Sequence, residues 1–172
     1  MIHCDVRTCV GCRTCEVACS SVHFGAVAPA LSRIRVAKLE ELGLDMAVAC
    51  LSCLEKPCLE CPTAGLSVGA QGAIVLNVEL CNACGVCVEV CPIGAVGFYD
   101  SRPLFCDLCD GAISCVKVCP SQALSCPETP EEISLQAYLP STGNPGERRA
   151  RLALARGAPV RESWKNGARV AL

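Results

Sequence analysis

Cysteine is the residue type with the most chemistry to offer in this sequence, which contains 18 of them in 172 residues. Sixteen fall into four motifs of four cysteines each, and Cys4 and Cys126 lie outside them. In chain order the motifs comprise Cys9, Cys12, Cys15 and Cys19; Cys50, Cys53, Cys58 and Cys61; Cys81, Cys84, Cys87 and Cys91; and Cys106, Cys109, Cys115 and Cys119. Thiols at such short intervals are typical of metal binding or of a disulfide framework.

The spacing within the motifs favours iron–sulfur clusters over zinc. Structural zinc is usually held by two separated C-x2-C pairs. The first and third motifs instead read C-x2-C-x2-C-x3-C, and the last three motifs end in Cys-Pro. In this run, which is typical of bacterial two-cluster proteins, the first three thiolates hold one [4Fe–4S] cluster and the fourth serves another. The four motifs therefore predict four [4Fe–4S] clusters, with zinc and disulfides as the alternatives.

The second motif departs from this pattern at its end. Only two residues separate Cys58 from Cys61, where the other motifs have three residues before the last cysteine. One interpretation is a turn shortened by one residue, with Cys61 still a ligand. The other is a cluster with three thiolates and a weak or exchangeable fourth ligand. We favour the shortened turn, because Cys61 still precedes a proline and a small-residue segment, "TAGL".

Composition and charge exclude several other functions. The formal charge is −2, and four clusters would bring it to roughly −10, since each [4Fe–4S]²⁺ core with four thiolates carries about −2. Such a chain is unsuited to bind nucleic acid. No phosphate-binding glycine motif or catalytic acid, base and nucleophile constellation is present. Only six residues are aromatic, so we expect the clusters to fill the centre of the fold.

Hydropathy and the N-terminal residues indicate in which part of the cell the protein is expected. No stretch is long and apolar enough to span a bilayer, so we predict no membrane insertion. The sequence begins without the features of an export signal. We therefore expect a cytoplasmic protein whose thiols are kept reduced.

Short strands and helices must position the cysteines. β-Branched segments predict strands within residues 31–40 and 72–80, and a hairpin is expected to turn near residues 40–45. One or two helical turns are predicted before the last cysteine of the motifs. The fold class is therefore α+β.

The sequence changes character after Cys126. Residues 127–172 contain no cysteine and hold 7 of the 15 basic residues. We expect an extended C-terminal tail with one short helix in residues 147–157. Its function would be to order on a partner subunit, and the alternative is a solvated terminus.

Residues 1 to about 126 resemble a known family. The segments "CVGCRTCEVACSSVHFG", "CLSCLEKPCLECPTAGL", "CNACGVCVEVCPIGAV" and "CDLCDGAISCVKVCPSQAL" are similar to the four-cluster iron–sulfur subunits of modular oxidoreductases. The resemblance implies a double bacterial-ferredoxin fold for residues 1–126, followed by the tail at 127–172. It also implies nested pairing of interleaved two-cluster lobes, the first motif with the fourth and the second with the third.

The resemblance further implies four ligand sets, which we name sites A to D. Site A comprises Cys9, Cys12, Cys15 and Cys119. Site B comprises Cys106, Cys109, Cys115 and Cys19. Site C comprises Cys50, Cys53, Cys58 and Cys91. Site D comprises Cys81, Cys84, Cys87 and Cys61.

The expected function is electron transfer by a non-catalytic subunit. Such subunits accompany molybdenum- or tungsten-pterin enzymes, certain hydrogenases and carbon monoxide dehydrogenase. The favoured catalytic partner is a tungsten- or molybdenum-pterin aldehyde oxidoreductase, with a flavin/NAD protein or ferredoxin as second redox partner. Carbon monoxide dehydrogenase, formate dehydrogenase and hydrogenase partners remain alternatives, as do a free-standing polyferredoxin and an iron–sulfur sensor or maturation factor.

The remaining candidate ligands have simpler interpretations. Cys4 and Cys126 are expected to be buried structural thiols, because free cysteine packs as a small apolar residue. His3 and His23 are the only histidines. We do not expect either to bind iron, because the sixteen cysteines already fill every ligand position.

Overall fold

The computed structural model describes residues 1–69, 72–128 and 133–165, and its regular elements are short. The strands are β1 (His3–Cys4), β2 (Arg35–Leu39), β3 (Leu44–Val48), β4 (Leu66–Val68), β5 (Ile74–Leu76), β6 (Gly97–Tyr99), β7 (Arg102–Leu104) and β8 (Leu124–Ser125). The α-helices are α1 (Thr14–Phe24), α2 (Val86–Glu89), α3 (Ser114–Lys117) and α4 (Pro145–Lys165). Short 3₁₀ turns, including one at Pro57–Leu59, connect them.

The strands pair antiparallel in two-stranded sheets, namely β1 with β8, β2 with β3, β4 with β5 and β6 with β7. The β1–β8 pair places Cys4 opposite Leu124, so it joins the segment before the first motif to the segment after the fourth. The β2–β3 hairpin turns at Gly43, which confirms the hairpin predicted near residues 40–45. The predicted mixture of short strands and short helices is confirmed as well.

Three of the helices carry motif cysteines. α1 carries Cys15 and Cys19, α2 carries Cys87, and α3 carries Cys115. α2 and α3 are single turns, as predicted, whereas α1 has 11 residues and is longer than predicted. Helices this short are unstable in isolation, because the conformational entropy lost in forming the first turn outweighs the free energy gained from its few hydrogen bonds. Tertiary packing must therefore hold these cysteines in place.

The buried cysteines are themselves part of the apolar core. One core cluster contains Cys87 and Cys91 together with aliphatic residues such as Ile93 and Leu152. A second contains Cys15, Cys19, Cys115, Ile2, Ile34 and Leu124. The core and the candidate ligands thus overlap, and packing of the core determines where the thiols lie.

The C-terminal segment differs from the extended tail that the sequence predicts. Residues 145–165 form a 21-residue helix, α4, which contacts β2 and β3. Leu152 and Ala153 of this helix are completely buried. The helix begins with a capping box, in which the Asn144 side chain accepts from the Glu147 amide at 3.0 Å and the Glu147 carboxylate accepts from the Asn144 amide at 2.9 Å. The segment is ordered against its own chain because it buries an apolar stripe there.

No helix in residues 1–69, 72–128 or 133–165 is both long and apolar enough to cross a membrane.

The first residue of α4 packs directly on the backbone at Gly94. Gly94 has φ +60°, and a Cβ there would collide with the backbone carbonyl of Pro145. Gly43, in the β2–β3 turn, has the same φ of +60° but no atom within 4 Å of where its Cβ would lie. The two glycines therefore share a backbone conformation and differ in what surrounds them.

Replacing each glycine by alanine separates strain from packing. We expect Gly43→Ala to lower the free energy of unfolding by about 1–2 kcal/mol, the cost of a left-handed conformation with a side chain. Gly94→Ala should cost roughly 1–3 kcal/mol more, because α4 must also move away. Unfolding of the anaerobically isolated protein, followed by circular dichroism, measures both. Equal losses in the two variants would contradict close packing of α4 on Gly94.

Candidate iron–sulfur sites

The four cysteines of site D line one cavity, although they come from two motifs. Cys61 from the second motif and Cys81, Cys84 and Cys87 from the third surround a shared space. Apolar side chains, including Leu66, Leu76 and Phe98, complete its walls. The shortened second motif therefore delivers Cys61 to the place that site D requires.

Local backbone geometry explains how one residue can be missing. Cys58 lies in the 3₁₀ turn Pro57–Leu59, just before Cys61, whereas Cys87 lies in the α-turn Val86–Glu89, just before Cys91. A 3₁₀ helix has about 3.0 residues per turn and an α-helix about 3.6. A cysteine three residues further along a 3₁₀ turn, or four residues further along an α-turn, therefore projects from nearly the same side of the turn as the cysteine before it. The geometry favours the shortened-turn interpretation.

The Cys61 thiol also has a polar neighbour suited to a thiolate. The Thr63 hydroxyl lies 3.5 Å from the Cys61 sulfur, and hydrogen bonding by Thr63 lowers the pKa of this thiol. A thiol with a lowered pKa is more readily deprotonated to the form that binds metals. Thr63 is thus a supporting residue that the sequence analysis did not identify.

The site C cysteines line a second cavity, with Cys50, Cys53 and Cys58 from the second motif and Cys91 from the third. Phe105 and Leu135 are among its other walls. The Ala95 amide donates a hydrogen bond to the Cys91 sulfur at 3.3 Å. Because Leu135 lies in the segment after Cys126, that segment forms part of the enclosure of site C.

The site A cysteines line a third cavity, which Cys9, Cys12 and Cys15 share with Cys119 from the fourth motif. Cys4 lies beside this site. Its sulfur accepts a hydrogen bond from the Ala47 amide at 3.3 Å. A hydrogen bond between the Cys4 and Cys9 thiols lowers the pKa of Cys9 to about 6 and raises that of Cys4. Cys4 therefore stays protonated and supports Cys9 as the thiolate.

The site B cysteines are brought together where α1 packs against α3. Cys19 and Cys115 are buried in the same core cluster, and Cys106 packs against it. Burial, together with the charges of Cys106, Cys109, Cys19 and Cys15, raises the pKa of Cys115 to about 12. The other three site B thiols therefore lie within electrostatic reach of Cys115, as does Cys15 of site A.

Two polar contacts reach site B from outside its ligand set. The Arg33 amide donates to the Cys19 sulfur at 3.2 Å. His23 Nε2 lies 3.6 Å from the Cys109 sulfur and 3.4 Å from Asp107 Oδ1. His23 is thus a neighbour of site B, in a position from which its ring can hydrogen-bond to the Cys109 sulfur.

The chemistry of these donor sets fits iron–sulfur clusters. Sites A, C and D each gather cysteine sulfur, the soft donor that suits such clusters, among mostly apolar walls. Burial raises the pKa of Cys50 to about 11 and of Cys58 and Cys106 to about 12, so these thiols hold their protons at neutral pH without a metal. Metal binding would release those protons, which links ligand binding to folding.

The sequence matches the 4Fe-4S binding domain family over residues 74–96. It is 48% identical over 86 residues to the aliphatic sulfonate oxidoreductase polyferredoxin-like subunit of Pyrococcus furiosus, covering 49% of each chain. It is 38% identical over 101 residues to formate hydrogenlyase subunit 2 of Escherichia coli, covering 58% of this chain and 48% of that one. It is 36% identical over 102 residues to the formate dehydrogenase iron–sulfur subunit of Wolinella succinogenes, covering 56% and 50%.

The matched region spans about half the length of each of these curated relatives. Their names describe subunits of oxidoreductases, and one names an iron–sulfur subunit directly. Residues 74–96 therefore match a 4Fe–4S binding domain, and about half of the chain is similar to proteins that are named as subunits of oxidoreductases.

Proposed function

We propose that this chain binds four [4Fe–4S] clusters at sites A to D and relays single electrons between a catalytic oxidoreductase subunit and a second redox partner. The observation that carries the proposal is the convergence of cysteines from separate motifs on shared cavities at sites A, C and D. In each, three cysteines come from one motif and the fourth from another. A zinc site built from local pairs would not need this exchange.

The relative positions of the sites support a series in the order A, B, C, D. α1 carries both Cys15 of site A and Cys19 of site B. The charge of Cys50 in site C raises the pKa of Cys106 in site B, so these two sites are neighbours. Sites C and D share the short segment that carries Cys87 and Cys91. Neighbouring sites in a row suit transport through the protein.

Solvent exposure supports the two ends of that series as the points of exchange with partners. All 18 cysteines lie in the described part of the chain, and only Cys12 and Cys84 are exposed. Cys12 belongs to site A and Cys84 to site D. The inner sites B and C thus contain no exposed cysteine, whereas each outer site has one cysteine that is accessible to solvent.

A bound [4Fe–4S] cluster would supply one-electron oxidation and reduction. The chain holds, separates and shields the sites. We find no acid, base or nucleophile arranged for substrate chemistry among the described residues, so we assign catalysis to a partner subunit. We also propose a cytoplasmic location, because free thiols persist in a reducing compartment.

The identity of the catalytic partner is a finer proposal. The resemblance noted in the sequence favours a tungsten- or molybdenum-pterin enzyme, with an aldehyde oxidoreductase as the leading candidate. The three relatives above are instead named for sulfonate oxidation, formate hydrogenlyase and formate dehydrogenase, so a formate or sulfonate enzyme is the second candidate. We propose that the exposed side of α4, with Leu154 48% exposed and Arg156 beside solvent, contributes to the contact.

Metal content tests the number of clusters. We expect the anaerobically purified chain to contain four clusters, about 16 iron and 16 sulfide. Chelation of iron should abolish its visible absorbance and unfold the protein, because the buried ligands form much of the core. Elemental analysis and circular dichroism measure both results. Eight iron per chain, or stoichiometric zinc, would contradict the proposal.

The ligand assignment of Cys61 is tested by combining substitutions. Cys61→Ala should convert the site D cluster to a [3Fe–4S] centre, because one iron loses its only protein ligand. Adding Cys53→Ala, in site C, should damage a second cluster, whereas adding Cys84→Ala, in site D, should damage no further cluster. Electron paramagnetic resonance spin counts and iron content distinguish these results.

Cys126→Ala is the matched control for the Cys61 experiment, since Cys126 is a cysteine outside all four sites, and it should leave the spectrum unchanged. If the Cys61→Ala and Cys53→Ala substitutions together affect only one cluster, Cys61 belongs to site C and the proposed exchange is wrong.

Isolation of the untagged native protein under anaerobic conditions tests its partnership. We expect a stable complex with a larger redox enzyme, identified by mass spectrometry and by its pterin metal. Arg156→Glu, on the exposed side of α4, should reduce recovery of that complex without loss of iron. Recovery of the chain alone, with four clusters and full activity as a soluble electron carrier, would support a free-standing polyferredoxin instead.

A further inference from the structure

Arg148, in the first turn of α4, is a completely buried cation. One of its guanidinium nitrogens, Nη1, donates to the backbone carbonyls of Val88, Glu89 and Cys91 at 3.0, 2.6 and 2.8 Å. These carbonyls lie at and just beyond the end of α2. Arg148 thus caps the short helix that connects Cys87 of site D with Cys91 of site C.

The guanidinium has no carboxylate partner within the described ranges. The side-chain ion pairs there do not include Arg148. Its Nε and Nη2 atoms are also buried and make no hydrogen bond to any described residue. A buried charge without a counter-charge costs several kcal/mol, and backbone carbonyls offer only partial charges. Some further negative charge is therefore needed nearby.

The segment that Arg148 caps carries Cys87 of site D and Cys91 of site C, so negative charge on either site would lie close to Arg148. Arg149 approaches the same segment, since its Nη1 donates to the carbonyl of Gly94 at 2.6 Å. Burial lowers the pKa of the Arg149 guanidinium, and the charge of Arg35 lowers it as well, whereas the charges of the buried Glu16 and of Cys91 raise it. Both Glu16 and Cys91 therefore lie within electrostatic reach of this part of α4. A [4Fe–4S]²⁺ core with four thiolates carries about −2.

We propose that Arg148 is the buried counter-charge of the clusters at sites C and D, and that its positive charge raises their reduction potentials. This inference rests on the proposed function, because it requires clusters at those sites. Each added electron makes a cluster more negative, so a fixed cation nearby stabilises the reduced state more than the oxidised state. The effect is strong because the charge is buried and therefore poorly screened.

Arg148 is a positioning residue in this proposal, since it contacts the backbone of Cys91 and no ligand atom. Its hydrogen bonds to the segment between Cys87 and Cys91 also connect α4 to sites C and D. Without clusters the guanidinium would lack their negative charge, and α4 should then pack less stably. The proposal thus links the fold of the C-terminal segment to occupancy of sites C and D.

The test compares Arg148→Gln, Arg148→Lys and the control Arg161→Gln in the full chain. Gln keeps one hydrogen-bond donor and removes the charge, whereas Lys keeps the charge. Arg161 is an exposed residue of the same helix, so its substitution removes an equal charge in solvent. Iron content is measured first, and midpoint potentials are then measured by redox titration with electron paramagnetic resonance.

We expect Arg148→Gln to lower one or two of the four midpoint potentials and leave the others unchanged. At a fixed ambient potential the ratio of reduced to oxidised cluster should fall on the order of tenfold, which is about 59 mV for one electron. Arg148→Lys should give a smaller shift, and Arg161→Gln none. Unchanged potentials in an iron-replete Arg148→Gln protein would overturn the proposal.

The outcomes also separate this inference from the proposed function. A wild-type chain with fewer than four clusters would refute the proposed function before any variant is compared. If Arg148→Gln loses iron while Arg148→Lys retains it, the charge itself is required, which supports the proposal. If both variants lose iron equally, the shape of the guanidinium rather than its charge is what matters, and the counter-charge role is wrong.

Discussion

The burial of cysteine thiols around shared spaces is the constraint on which the rest of this protein depends. With six aromatic residues in 172, the chain lacks the large side chains that would fill an ordinary core. Cys15, Cys19 and Cys115 take core positions instead, beside aliphatic residues. Buried thiols resist ionisation and, being small, fill little of the core by themselves. In the proposed function a metal centre would replace the thiol protons, and the short helices and two-stranded sheets would gain stability through that centre.

Local backbone geometry adapts to the requirements of the sites. The second motif has one residue fewer than the third before its last cysteine. The last cysteine of each motif nevertheless lies beside the first three cysteines of the other motif. The 3₁₀ turn at Pro57–Leu59 completes one turn of the backbone in three residues, whereas the α-turn at Val86–Glu89 needs nearly four. The backbone also supplies hydrogen bonds to the cysteine sulfurs. The amides of Arg33 and Ala95 donate to the Cys19 and Cys91 sulfurs, so the backbone supplies hydrogen bonds without further polar side chains.

The segment after Cys126 belongs to the environment of the sites. Leu135 forms a wall of site C, and Glu55 of the second motif accepts a hydrogen bond from the Leu135 amide at 2.9 Å. α4 then returns across β2 and β3 and places Arg148 against the end of α2. A segment that looks like an appended arm in the sequence thus encloses a site and supplies a buried charge. Whether its exposed face also binds another subunit is part of the proposed function.

The sequence alone was sufficient for the class of chemistry, because the number and spacing of cysteines restrict the metal centres that a short loop can surround. It also predicted the β2–β3 hairpin and the single-turn helices α2 and α3, since local patterns govern such elements. It did not determine α4 correctly, because five arginines within residues 145–165 obscured the apolar stripe that includes Leu152 and Ala153. The capping box at Asn144 and Glu147 was the available signal for its start. Only the tertiary structure could bring Leu135, Thr63 and Arg148 to the sites, and only it could bring Cys119 to Cys9. Contacts between residues so far apart in the chain arise from packing, which no local pattern encodes.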